Sequence, residues 1–109
     1  VPRPTTPDAG TATWPGLLVS GTNAQGVSRY FVTDVLEPGT YHFTLTGTGD
    51  ADLYVRKGAA PNTTTFDCRP FVLGSDESCD VTISGNPIEV HVMLRGVAAS
   101  SSFTLKGQP

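Results

Sequence analysis

Gly49-Asp50-Ala51-Asp52-Leu53-Tyr54-Val55-Arg56 is the stretch on which the fold turns. Gly47, Gly49 and Asp50 make a turn that delivers the chain into it. Leu53 and Val55 then face one way, and Asp52, Tyr54 and Arg56 the other. That period of two is the mark of a half-buried strand. The expectation is a strand that buries aliphatics on one face and shows two charges and a phenol on the other.

The aspartates have two readings. Asp in a turn bonds nearby backbone N–H groups and needs no ligand. Carboxylates also hold hard cations, which makes Asp50 and Asp52 candidate ligands for Ca²⁺. Side chains two apart on a strand point the same way, roughly 6.5–7 Å apart. The spacing is not that of the helix-loop-helix calcium loop, and its closing glutamate is missing.

Around this stretch the chain reads as all-β. Downstream of Trp14, Leu17, Leu18 and Val19 form a first strand, and Arg29 to Val35 a second. In the second, either Tyr30 and Val32 or Phe31, Thr33 and Val35 face inward, and periodicity leaves that choice open. Glu37-Pro38-Gly39-Thr40 is a turn with Pro ahead of Gly. Tyr41, Phe43 and Leu45 then alternate with His42, Thr44 and Thr46, so this short link predicts an antiparallel hairpin. Beyond Arg56, Gly58 to Asn62 is a loop, and Thr64 to Cys68 a short strand. Asn62-Thr63-Thr64 formally matches a glycosylation acceptor, a tripeptide frequent by chance. Cys79 to Ile83, Val90 to Arg95 and Phe103 to Leu105 complete eight or nine strands. Short strands with regular turn signals predict a two-sheet antiparallel β-sandwich, jelly-roll-like in topology.

Composition agrees. The chain has 109 residues, with 38% hydrophobic and 16% charged, and its 12 glycines and 9 prolines are too many for a helical bundle. A net charge of −3 and no basic stripe argue against nucleic acid as a partner. No apolar run is long enough for a membrane-spanning helix. Residues 1–13 carry three prolines and four threonines without apolar periodicity, the texture of an interdomain linker. The domain is expected over 14–109, with another domain upstream.

The two cysteines, Cys68 and Cys79, are eleven apart. A metal site would need further ligands, and the two histidines, His42 and His91, are elsewhere. A redox pair is normally closer in sequence. A structural disulfide is expected, and with it an oxidising, extracellular or periplasmic compartment.

The Gly49–Arg56 run, Gly58 and Pro61, Asp67-Cys68-Arg69-Pro70-Phe71, Gly74-Ser75 and Glu77-Ser78-Cys79 together resemble the bacterial pre-peptidase C-terminal (PPC) domain. Tyr30-Phe31 through Pro38-Gly39, and Val92 to Gly96 with Ser102 to Leu105, extend the likeness over about residues 14–107. The resemblance implies a β-sandwich at the C-terminal end of a secreted bacterial peptidase, in a family whose members are often removed during maturation. Relatives in collagenases bind insoluble substrate and Ca²⁺. Where many members carry an aromatic pair in the penultimate strand, this chain has Glu89, Val90 and His91. The calcium ligands of those relatives lie partly in an acidic linker, and Asp8 is the only acid in residues 1–13. That calcium site is therefore not carried over.

No catalytic set is visible. No serine lies in a nucleophile elbow, no helical His pair exists, and His42 sits on a polar strand face as an ordinary surface histidine. Two non-enzymatic roles follow. The first is an accessory module that binds insoluble protein or polysaccharide, with Tyr54, Phe66, Phe71 and Trp14 as exposed anchors. The second is a cleavable segment that assists secretion, folding or maturation of an upstream peptidase domain.

Overall fold

The computed structural model describes residues 14–70 and 76–109. Seven strands are described: β1 (Leu17–Ala24), β2 (Ser28–Val32), β3 (Gly39–Thr48), β4 (Ala51–Lys57), β5 (Glu77–Ile83), β6 (Val90–Gly96) and β7 (Ser100–Gln108). No helix occurs among the described residues. One sheet has the order β1-β7-β3-β5 and the other β2-β6-β4, and every pairing is antiparallel. Odd-numbered strands build one sheet and even-numbered strands the other, so each connection crosses the sandwich. This is the strand order of a jelly roll, in keeping with the sandwich expected from the short strands and turns, although periodicity itself gives no strand order.

The expected hairpin is overturned. Strands β2 and β3 lie in different sheets, so Glu37-Pro38-Gly39 bridges the layers and does not fold β3 back on β2. The physical reason is that Leu36 drops into the core beside Ile88, with backbone bonds in both directions at 3.0 and 3.1 Å. The Leu36–Ile88 bridge holds the chain beside the segment entering β6 as far as the turn, which then carries it to the other sheet. β2 ends at Val32; Phe31 points inward, while Tyr30 and Val32 point out.

The core is the interior of this sandwich. Tyr41, Phe43 and Leu45 on β3 face Leu53 and Val55 on β4 and Val92 on β6, all buried. Each fully buried aliphatic or aromatic contributes about 1.5–3 kcal/mol. Trp14 closes one end of this layer. Its ring stands edge-on to Tyr41 at 5.9 Å and 6.1 Å from Phe43. Gly107 makes that approach possible, since a Cβ there would lie 2.8 Å from Trp14 Cη2.

A jelly roll normally completes its second sheet with a fourth strand beside β4. Here the expected Thr64–Cys68 strand shrinks to one bridge, Val55 with Cys68. Among the described residues β4 consequently keeps one nearly bare edge. The other departure concerns its outer face. Asp52 and Tyr54 are buried, at 8% and 3% exposure, because the segment 66–69 folds back over them. A covering loop, unlike a covering sheet, leaves no periodic trace in the strand that it covers.

Candidate functional site

Alternate amides of β4 point toward its bare edge, and each finds a different acceptor. Leu53 N–H donates to Glu77 Oε1 at 2.7 Å. Val55 N–H donates to the Cys68 carbonyl at 2.9 Å. Lys57 N–H donates to Asp67 Oδ2 at 2.7 Å. Two carboxylates and one carbonyl therefore stand in for the missing strand. An unpaired edge is a template for aggregation, and this arrangement removes it.

The Cys68–Cys79 disulfide ties that edge to β5 in the opposite sheet. Cys79 follows Glu77 by two residues, so both face the interior. Asp67, Cys68, Glu77 and Cys79, which carry part of the family likeness, thus share one structural task around β4. Phe71, Gly74 and Ser75 lie outside the described residues, as does the stretch 1–13 with Asp8.

At the start of β4 three carboxylates converge. One oxygen from each of Asp50, Asp52 and Glu77 lies within 4.8 Å of the others. Asp50 is pinned by its backbone: its N–H donates to Ser101 Oγ at 3.0 Å, and its carbonyl accepts from Val97 and Ala98 at 2.8 and 3.2 Å. Gly49 sets up this turn with φ of 75°, where a Cβ would meet the Ser100 carbonyl at 2.6 Å. Asp52 Oδ2 accepts from Arg69 Nη2 at 3.0 Å, and the same guanidinium lies 4.9 Å from the Tyr54 ring. Burial pushes the Glu77 carboxyl up to about 7, helped by the charges of Asp52 and Asp50 and opposed by the Leu53 hydrogen bond.

The sequence sets Asp50 beside Asp52, but the strand expected from Cys79 to Ile83 leaves Glu77 outside it. The missed signal was the alternation Glu77, Cys79, Val81, Ile83, which puts the glutamate on the inward face.

The expected aromatic anchors fare differently. Tyr54 is buried and stacked edge-on against Phe66 at 5.6 Å. Phe66 and Trp14 are half-buried in such packing. The exposed-phenol expectation for Tyr54 is corrected: Arg69 and Phe66 cover its face. The exposed apolar side chains lie elsewhere: Tyr30 at 57%, Val32 at 55% and Val35 at 63% on and after β2, Leu18 at 73% on β1, and Val27 and Val97 in loops. Tyr30 pairs in register with Met93, and Met93 with Tyr54, so one cross-sheet row runs from an open end to a covered one.

His42 Nδ1 lies 2.7 Å from Asp80 Oδ1 on the exposed face of the larger sheet, a cross-strand surface pair. Among the described residues no helix is long and apolar enough to cross a membrane.

Among the described residues, the jelly roll thus has its β4 edge closed by an Asp-Cys turn and a Glu-x-Cys strand. Residues 27–92 match the family described as the bacterial pre-peptidase C-terminal domain, and the chain belongs to that family. It is 47% identical over 60 residues to the neutral protease of Vibrio proteolyticus, covering 55% of this chain and 10% of that protein. It is 35% identical over 105 residues to the zinc metalloprotease of Helicobacter pylori, covering 94% of this chain and 40% of that protein. The chain thus spans less than half the length of either. The solution structure of vEP C-ter 100 superimposes with a TM-score of 0.69 at 36% identity, covering 84% of this chain and 92% of that one. The domain is an accessory one and not the peptidase.

Proposed function

We propose that the domain is the C-terminal accessory part of a secreted peptidase and holds that enzyme on insoluble protein through the open half of the β2-β6-β4 sheet. The observation that carries this reading is the exposed apolar strip of Tyr30, Val32 and Val35 on and beside edge strand β2. Contiguous exposed apolar surface with an aromatic is the chemistry of a contact site. The setting supports it: the disulfide suits an oxidising compartment, and the family is the bacterial pre-peptidase C-terminal domain. A peptidase gains from local concentration on a solid substrate, since tethering makes each later encounter intramolecular.

Co-sedimentation of the domain with collagen, elastin, chitin and cellulose tests the reading. Saturable retention on a protein solid, reduced at least tenfold by Tyr30→Ser with Val32→Ser, is the expected result. Retention on polysaccharide alone would reassign the substrate class. No retention on any solid would overturn the reading and favour a cleavable maturation segment.

A further inference from the structure

We propose that the outer edge of β2 takes up an extended stretch of polypeptide as an added strand. This deepens the function proposed above and rests on it: the partner on the insoluble protein is an exposed segment with apolar side chains at alternate positions.

β2 ends its sheet and pairs with β6 alone. Two flanking bonds fix which backbone groups that pairing uses. Thr33 N–H donates to the Val90 carbonyl at 2.9 Å, and Gly96 N–H to the Val27 carbonyl at 3.0 Å. An antiparallel pair alternates bonded and non-bonded positions, so residues 27, 29, 31 and 33 turn their ladder groups toward β6. Ser28, Tyr30 and Val32 turn theirs the other way, out of the sheet. Among the described residues no hydrogen bond reaches the backbone of these three from that side.

An open edge alone says little, since every unclosed sheet has two. The second observation is the treatment of the other edges. On β4, Glu77, Asp67 and the Cys68 carbonyl accept the outward amides. On β5, Lys57 Nζ donates to the Thr82 carbonyl at 3.2 Å. On β1, Arg29 Nη1 donates to the Thr22 carbonyl at 3.0 Å. Each is a block that an incoming strand must displace. Among the described residues β2 carries no such block. The third observation is the side chains. Tyr30 and Val32, with outward ladder groups, are also 57% and 55% exposed. On β1 the exposed Leu18 is followed along the edge by Ser20 and Thr22, so no apolar track runs there. Only on β2 do free ladder groups and apolar side chains coincide among the described residues, and strand addition uses both: main chain for affinity, alternate side chains for specificity.

The same geometry selects the occupant. Donors and acceptors recur on this edge every second residue, roughly 6.8 Å apart, which is the repeat of another extended backbone. A sugar chain has no such fixed alternation of donor and acceptor. A second copy of this chain is disfavoured by size. Five residues of edge bury on the order of a few hundred Å² a side, below the roughly 800 Å² per partner of a stable interface. A fibre offsets weak single contacts by presenting many strands at once.

NMR titration of the isotope-labelled chain with the end-blocked heptapeptide Lys-Val-Thr-Val-Thr-Val-Lys tests the proposal. The amide signals of Ser28, Tyr30 and Val32 should shift together and saturate, and their hydrogen exchange should slow at least tenfold. Those of Leu18 and Ser20 should stay. N-methylation of the valine amides and of the threonine amides blocks opposite edges of the peptide. One methylated peptide should bind at least tenfold more weakly than the parent peptide, and the other within threefold. Ser28→Pro removes one outward N–H without touching Tyr30 or Val32, and should weaken binding at least threefold at an unchanged melting temperature. If that variant fails to fold, the methylated peptides decide with the parent chain. Equal affinity of all three peptides, or shifts centred on β1, would overturn strand addition, while retention on insoluble protein would still uphold the proposed function. A dimer in sedimentation that dissociates in Ser28→Pro would overturn it by giving the edge to a second copy. Retention on no solid at all would overturn the function and strand addition together.

Discussion

Glu77 Oε1 lies 2.7 Å from the Leu53 amide nitrogen and accepts its hydrogen bond across the gap between the two sheets. A side chain thereby takes the place of a backbone carbonyl at a strand edge. The two residues are 24 apart in sequence and belong to different layers. Truncation should be costly and isosteric replacement mild. Glu77→Ala strands the Leu53 N–H and is expected to destabilise the fold by about 1–3 kcal/mol. Glu77→Gln retains the acceptor and should cost far less. Urea midpoints of the two variants against the parent chain check the ordering.

The same carboxyl predicts a pH dependence. Its value rises from an ordinary 4.5 to about 7 in the folded chain, through burial and the facing charges of Asp52 and Asp50. Arg69, bonded to Asp52, is the nearby cation. Below 4.5 the group is protonated in both states and its contribution is fully present. Between 4.5 and about 7 the folded chain holds a proton that the unfolded chain has released. Stability from this group therefore falls as pH rises and is lost above about 7. The urea midpoint should decline across that window. Glu77→Gln should flatten the decline, because it has no proton to lose.

Much of the fold was legible because strand periodicity is local. Tyr41, Phe43 and Leu45 announce the inward face of β3 whatever lies beside it. Pairing is not local, and there the sequence misled. The four residues Glu37 to Thr40 look like a hairpin turn, yet β3 pairs with β5 and β7. The deciding fact is the burial of Leu36 ahead of the turn, and one apolar residue between two strands does not announce which layer it enters. Asp52 and Tyr54 were misread for a related reason. Their polar face is covered by Phe66 and Arg69, which lie beyond the end of the strand. Asp67 and Glu77 look like loop acids until β4 is known to have a bare edge.

The disulfide should matter most at that edge. Closing a loop of this length contributes about 3 kcal/mol by restricting the unfolded chain. Cys68→Ala with Cys79→Ala should lower stability by a comparable amount, read from denaturant unfolding. It should also act locally, because the Cys68 carbonyl receives Val55 N–H and Asp67 Oδ2 receives Lys57 N–H. Hydrogen exchange at Val55 and Lys57 is expected to accelerate more than at Leu94, which lies on the central strand β6 and is held from both sides.

Two tyrosines on the same sheet separate stability from binding. Tyr54 is 3% exposed, edge-on to Phe66 and capped by Arg69. Tyr54→Ala empties that pocket, and a loss of about 3–5 kcal/mol is expected, as for other buried aromatics. Tyr30, two positions away in the same cross-sheet row, is 57% exposed. Tyr30→Ala should change stability by less than about 0.5 kcal/mol, the usual range for surface sites. If the open half of the sheet is the contact surface, Tyr30→Ala weakens retention on insoluble protein at unchanged melting temperature. Tyr54→Phe should do neither, because it keeps the ring that Phe66 and Arg69 pack against. Retention lost in Tyr54→Phe but kept in Tyr30→Ala would move the contact surface to the covered half of the sheet.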